Sequence, residues 1–414
     1  MSSRYGFYEF FAGGGMARLG LGAQWQCLFA NDFSPKKAES YRRNFPPATE
    51  FVQADVFDLS IEDLPLGAQL AWASFPCQDL SLAGPGTGLN GARSGSFWGF
   101  WRLMQELVDK GSPVPLIVLE NVVGTITANK GQDFIVLLNA LIDAGYVVGP
   151  MIIDAQYFVP QSRPRLFIVA IHHSVELLHL LVQACPDPRW HPQSIVKAFK
   201  RMSARIKEHW VWWNMPYPPP RKLSLIDVIE EEPIGVRWHS PEETNRLLEL
   251  MSPVHLERVK AAQRSGRRVV GTIYRRIRIT GGEKRQRAEI RIDDLSGCLR
   301  TGSGGSSKQF LMIIEGEKIR SRLLSPRETA RLMGVDDSYI LPERYNDAYH
   351  LMGDGLVVPV VTWLSQTILI PALAHEYVNE RLYSVKRDEL QLRLLERESS
   401  SQAYNINGVV SHAD

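Results

Sequence analysis

The residues best suited to chemistry lie in Ser74-Phe-Pro76-Cys77-Gln78-Asp-Leu-Ser81. A proline beside the cysteine favours an extended turn, because the residue ahead of a proline is pushed out of helical geometry. That turn ends the apolar run Gln69-Leu-Ala-Trp-Ala73, which predicts a buried strand, so the Cys77 thiol is presented at a strand end. A thiolate there can add to an electrophilic carbon and leave again. The window also suits a small buried hydrophobe, the common fate of an intracellular cysteine. On this stretch alone both readings stay open.

Other segments place polar groups at the ends of apolar runs, where open α/β sheets bind ligands. Phe7-Tyr-Glu-Phe-Phe11-Ala12-Gly13-Gly-Gly15-Met16 opens from an apolar run into three glycines and then a helix-forming segment. Glycines let a backbone approach a ligand closely, and a helix N-terminus favours negative charge. About twenty residues on, Cys27-Leu-Phe-Ala-Asn-Asp32 ends in an acid at the spacing that hydrogen-bonds ribose hydroxyls in doubly wound sheets. Asp55 ends a third run. A glycine turn alone is weak evidence, but with acids closing the next two strands it favours a nucleoside-type cofactor. Leu116-Ile-Val-Leu-Glu120-Asn121-Val122 and Gln161-Ser-Arg163-Pro-Arg165 complete the set. A capped strand end and a solvated loop are their plain alternatives.

With these residues in place, the sequence resembles the cytosine-5 DNA methyltransferase family. Its cofactor loop looks like Phe11-Ala-Gly-Gly-Gly15, and its nucleophile motif like Pro76-Cys77-Gln78. Its Glu-Asn-Val motif stands at 120–122 and its Gln-x-Arg-x-Arg motif at 161–165. Two more resemble Arg327-Glu-Thr-Ala-Arg-Leu-Met-Gly334 and Gly353-Asp354-Gly-Leu-Val-Val-Pro-Val360. Met16 and Asp354 depart from the usual glycine and asparagine. They put a side chain beside the cofactor pocket and a negative charge near it.

The resemblance implies an α/β, S-adenosylmethionine-dependent, Rossmann-like doubly wound sheet with an inserted smaller target-recognition domain. It makes Cys77 the nucleophile at carbon 6 of cytosine, Glu120 the proton partner of ring nitrogen 3, and Arg165 the residue holding the ring and its carbonyl. Ser81 and Arg163 would contact phosphates or neighbouring groups. S-adenosylmethionine would be lined by Phe11, Ala12, Gly13, Gly15, Asp32, Phe33, Asp55, Val56, Pro76, Phe97 and Asp354, with Phe33 stacked on the adenine. The target base must leave the duplex. The six glycines between Gly84 and Gly99, with Arg93 among them, suit a lid that closes over it.

A chain of 414 residues, 44% apolar and 22% charged, is an ordinary globular composition and suggests two domains. No apolar run is expected to cross a membrane, and Met1-Ser-Ser-Arg-Tyr5 runs straight into the first strand, leaving no room for a signal peptide. Four scattered cysteines with no C-x-x-C pair predict neither a metal site nor a disulfide framework. A reducing cytoplasm follows, and the resemblance implies that it is a prokaryotic one with the protein associated with the nucleoid. Net charge is +2, yet Glu257–Arg291 holds twelve Lys or Arg against three Glu, leaving the rest about seven negative. A basic segment on an acidic body is a phosphate-binding footprint, and Val269–Ile279 alternates as a strand with one cationic face. Arg275, Arg276, Arg278, Ser303 and Lys308, the last two in a polar glycine-serine loop, are therefore candidate contacts to double-stranded DNA.

The expected organisation is a discontinuous catalytic domain at 1–172 and 322–378, a target-recognition domain at 173–321, and a C-terminal helix with a disordered tail at 379–414. The cluster Trp210-Val-Trp-Trp-Asn-Met-Pro-Tyr-Pro-Pro-Pro220 reads as a linker whose tryptophans pack. The family implies a monomer in a restriction–modification system or an orphan enzyme, with a cognate restriction endonuclease as functional partner. A transfer-RNA cytosine-5 methyltransferase and a catalytically silent nucleic-acid scaffold are the alternatives.

Overall fold

The computed structural model describes residues 4–76, 95–280, 282–300 and 308–374. The central sheet comprises Tyr5–Phe10 (β1), Trp25–Asn31 (β2), Phe51–Val52 (β3), Ala68–Ala73 (β4), Leu116–Val122 (β5), Tyr146–Asp154 (β6) and Pro164–His172 (β7). Their order is β3-β2-β1-β4-β5-β7-β6, parallel except that β7 runs against both its neighbours. Parallel strands are buried on both faces and so read as continuous apolar runs. Alternate residues divide between two cores. Phe7, Leu70, Trp72, Leu116 and Val118 meet one layer, which includes the helices Met16–Leu21 and Val358–Leu364. Tyr8, Ala71, Ile117 and Leu119 meet the other, under the helices Gly95–Asp109 and Gln132–Asp143.

The C-terminal helices return to the first strands. A Cβ on Gly20 would collide with Val361, and Trp25 donates from its indole nitrogen to the Ser365 hydroxyl at 2.8 Å. The helical run Tyr345–Ala374 is long and apolar enough to cross a membrane by length and composition, contrary to the sequence expectation, but more than half of its apolar window is buried inside the fold.

Two small sheets follow. Val182–Gln183 (β8) pairs with Trp212–Trp213 (β9). The segment expected to be a linker is therefore partly a strand, and Trp210, Trp212 and Trp213 are buried. Trp190 and Trp213 share the first core, and Ile195 and Trp210 the second. The larger antiparallel sheet orders Arg268–Thr280 (β10), Glu283–Arg291 (β11), Phe310–Glu315 (β12) and Lys318–Leu323 (β13) as β11-β10-β12-β13. It has its own core with the helices Pro241–Glu249 and Pro253–Arg264. The helix Pro326–Leu332 starts with a capping box made by Ser325 and Glu328, and Glu328 forms a fully buried ion pair with Arg322 at 2.6 Å.

Candidate active site

The C-terminal ends of β1, β2, β4 and β5 open onto a cavity of about 830 Å³. At the end of β1 the chain turns through Phe11, Gly13 and Gly15, all at positive φ. A bulky residue there is strained; Phe11 is held at φ 57° where it lines the cavity. Gly14 has no room for a side chain, since a Cβ would strike the Tyr339 hydroxyl. Asp32 organises the turn, accepting from Gly13 N at 3.0 Å and Ser34 N at 2.9 Å.

Phe11, Ala12, Gly13, Asp32, Phe33, Pro76 and Asp354 line the cavity together, with Phe33 65% exposed. Gly15, Asp55, Val56 and Phe97 do not line it. Val56 and Phe97 lie in the second core, where burying a Phe is worth about 1.5–3 kcal/mol. Exposed Asp55 accepts from Phe57 N. Cys77, Ser81, Arg93, Ser303 and the segment 379–414 lie outside the described residues.

Glu120 and Arg165 meet across β5 and β7. Glu120 is 8% exposed, and Arg165 Nε lies 3.3 Å from its Oε1. Burial raises the Glu120 carboxyl above its usual range, against the opposing pull of Arg165 and Arg163. Next to it, the Asn121 amide donates to the carbonyl of Phe75 at 3.2 Å, fixing the backbone two residues before Cys77.

Gln161, Arg163 and Arg165 are spaced two apart, but only Arg165 pairs with Glu120. Arg163, expected to contact phosphates or neighbouring groups, is 3% exposed and its guanidinium is spent on main-chain carbonyls. It donates to Leu299 at 3.1 Å, Gly353 at 2.9 Å and Gly355 at 2.8 Å. Gln161 likewise donates to the Leu332 carbonyl and accepts from Leu299 N. Both residues clamp distant segments around the cavity. The departures are accommodated too: Asp354 lies 3.2 Å from Lys37 Nζ, and buried Met16 packs against Gly355.

Among the cavity residues that sequence reasoning missed are Cys298 and Glu9. Cys298 Sγ lies 3.3 Å from an Arg163 nitrogen and 3.7 Å from one of Arg165. Burial raises this thiol, but Arg163 and Arg165 outweigh it and leave it below the usual range. Glu9 lies within β1 on the face of Phe7, accepts from Ala17 N at 3.0 Å, and has no partner for Oε2 among the described residues. Burial pushes it up to about 8 from 4.5. The folded chain therefore keeps a proton that the unfolded chain loses, and this contribution to stability falls away as pH rises from about 4.5 to 8. Glu9→Gln is expected to melt above the wild type by a margin that widens from pH 5 to 8, reaching several degrees. Melting curves with a pH-independent margin would contradict it.

In the sheet β11-β10-β12-β13, β10 alternates as predicted but splits the arginines between faces. Arg276 and Arg278 share a face with Tyr274, whereas Arg275 lies on the other, its guanidinium 4.9 Å from the centroid of Phe310. The spacing of two separates them, so the single cationic face excludes Arg275 and gains Arg285 and Arg287 from β11. Lys308 lies 4.6 Å from the centroid of Tyr345.

A family model described as C-5 cytosine-specific DNA methylase matches residues 5–369. Among curated proteins, the chain is 26% identical over 385 residues to Type II methyltransferase M.HpaII of Haemophilus parainfluenzae, covering 89% of this chain and 90% of that one. It is 24% identical to Type II methyltransferase M.HhaI of Haemophilus parahaemolyticus, covering 87% and 93%. Among solved structures, the S. pombe Dnmt2 methyltransferase aligns at TM-score 0.54 and 16% identity over 90% of this chain and 99% of that one, a likeness of fold.

Proposed function

The chain belongs to the C-5 cytosine-specific DNA methylase family, and we propose that it methylates carbon 5 of a cytosine flipped from duplex DNA within a specific sequence. The observation that carries this reading is the buried Glu120–Arg165 pair beside Pro76, facing the glycine turn across one cavity. Cys77, directly after Pro76, adds to carbon 6 and converts the ring to an enamine rich at carbon 5. Glu120, raised by burial, shares a proton with ring nitrogen 3 as charge builds. Arg165 orients that carboxyl and offers donors to the ring carbonyl. Loss of the carbon 5 proton then expels Cys77.

The cavity fits S-adenosylmethionine, which supplies the electrophilic methyl group. Glu9, buried with Oε2 unpartnered and its carboxyl pushed up to about 8, holds a proton that a cationic group seated beside it would displace. Asp32 keeps lone pairs for ribose hydroxyls, and the exposed ring of Phe33 can stack on a base. A restriction–modification setting is supported by the names of the curated relatives, and a monomer in the cytoplasm is the simplest arrangement. We take 1–172 and 322–378 as the catalytic domain and, within 173–321, the part with its own core, from the helix Pro241–Glu249 into β13, as the target-recognition domain, since Trp190, Ile195, Trp210 and Trp213 pack into the cores of the central sheet.

The test is methyl transfer from labelled S-adenosylmethionine to mixed-sequence duplex and, separately, to transfer RNA. Label in 5-methyldeoxycytidine supports the reading; label only in RNA, or in neither, overturns it. Converting Arg276, Arg278, Arg285 and Arg287 together to Gln is expected to flatten the salt dependence of duplex binding, the logarithmic slope falling by roughly 0.9 for each phosphate no longer neutralised. An unchanged slope in a binding titration would remove this face from the interface.

A further inference from the structure

β12 pairs with β10 only over Arg268–Ile273, so beyond Tyr274 the β10–β11 hairpin is a two-stranded ribbon. One of its faces is closed at the base, where Ile273, Ala288 and Ile290 pack with Leu247 and Val259 from the neighbouring helices. The opposite face carries the arginines. Arg276 stands directly across from Arg287, and Arg278 from Arg285. Like charges directly opposed destabilise a ladder, and two carboxylates on the same face offset that cost: Glu283 holds Arg285 at 2.8 Å, and Glu289 lies beside Arg276 and Arg278. The Tyr274 hydroxyl on this face donates to the carbonyl of Cys298, which lines the cavity. The arginine face is thereby tied to one residue of the cavity wall.

Glu289 lies on the same face, opposite Tyr274. Arg278 reaches back along the ribbon and donates from Nε and from a terminal nitrogen to its two oxygens, at 2.5 and 2.9 Å, and Arg276 Nε is 3.8 Å away. This is the forked geometry a guanidinium uses on phosphate. We propose that Glu289 is a built-in competitor for the DNA-binding face, a carboxylate that holds Arg278 until a backbone phosphate displaces it. The inference rests on the duplex-DNA reading above. A random duplex offers only a phosphate in exchange for the carboxylate, so little is gained. The cost of breaking the pair falls on every complex that recruits Arg278, so Glu289 lowers affinity for duplex whatever its sequence.

The experiment titrates full-length wild type, Glu289→Gln and Glu257→Gln with a labelled mixed-sequence duplex over a range of salt, with melting curves to check folding. Glu257 pairs with Arg264 on the helix Pro253–Arg264, so its variant removes the same charge without freeing a ribbon arginine. Glu289→Gln should bind roughly three- to tenfold tighter near 0.1 M salt, with a slope steeper by about one, as expected when one more phosphate is neutralised. Glu257→Gln should stay near wild type. Equal or weaker binding by Glu289→Gln, or an equal gain in Glu257→Gln, overturns the proposal. Failure of the wild type to bind duplex overturns the DNA reading instead, and this inference with it.

Discussion

Replacing Cys77 with alanine is expected to reduce methyl transfer by at least about four orders of magnitude, roughly 5.5 kcal/mol of transition-state stabilisation. Carbon 5 of cytosine carries too little electron density to take a methyl group unaided, and the added thiolate is what supplies it. Because that bond forms only along the reaction path, duplex and cofactor binding should persist in the variant. The experiment must separate two thiols. Cys298 also lines the cavity, with its thiol lowered by Arg163 and Arg165, so an alternative nucleophile exists. A duplex carrying 5-fluorocytosine decides between them, since fluorine replaces the proton whose loss expels the cysteine and the adduct persists. Wild type and Cys298→Ser should trap the duplex covalently, and Cys77→Ala should not. Trapping by Cys77→Ala would reassign the nucleophile, and methyl transfer without any adduct would remove the covalent route.

How much of the molecule is legible in its sequence depends on whether the signal is local. The central strands can be read because burial on both faces makes each an uninterrupted apolar run, and the acids at their ends stand out against it. The capping box at Ser325 spans only four residues, Ser325 to Glu328, so its signal is local. Arg163 cannot be resolved this way. Its spacing within Gln161-Ser-Arg163-Pro-Arg165 is visible, but its carbonyl partners at Gly353 and Gly355 lie about 190 residues away. Cys298 carries no signal, because its environment is made by arginines brought in by β7. Glu9 and Arg275 are different cases. An acid inside an apolar strand, and a residue one step out of phase with Arg276 and Arg278, are both readable from the period of two. The helical run from Tyr345 is hidden because scattered polar residues break its apolar stretch in the sequence.

Glu120→Gln tests the other half of the chemistry. An amide keeps an oxygen to accept from Arg165, so the half-buried guanidinium, which also donates to the Pro164 carbonyl at 3.0 Å, keeps its place. Only the transferable proton is lost. General acid catalysis is worth about 10²–10⁴-fold, so turnover should fall by that order with little change in duplex binding. The sign of the pH effect follows from burial. With its pKa raised, Glu120 holds its proton to higher pH than an ordinary carboxyl, and wild-type turnover should decline as pH rises through that pKa. The amide cannot titrate, so the variant's residual activity should lack that decline. Single-turnover methylation across pH 5 to 9 measures both effects. Turnover within twofold of wild type, or an identical pH profile, would show that another group serves ring nitrogen 3. The pair would then be a packed ion pair whose one function is to hold Arg165 against the base.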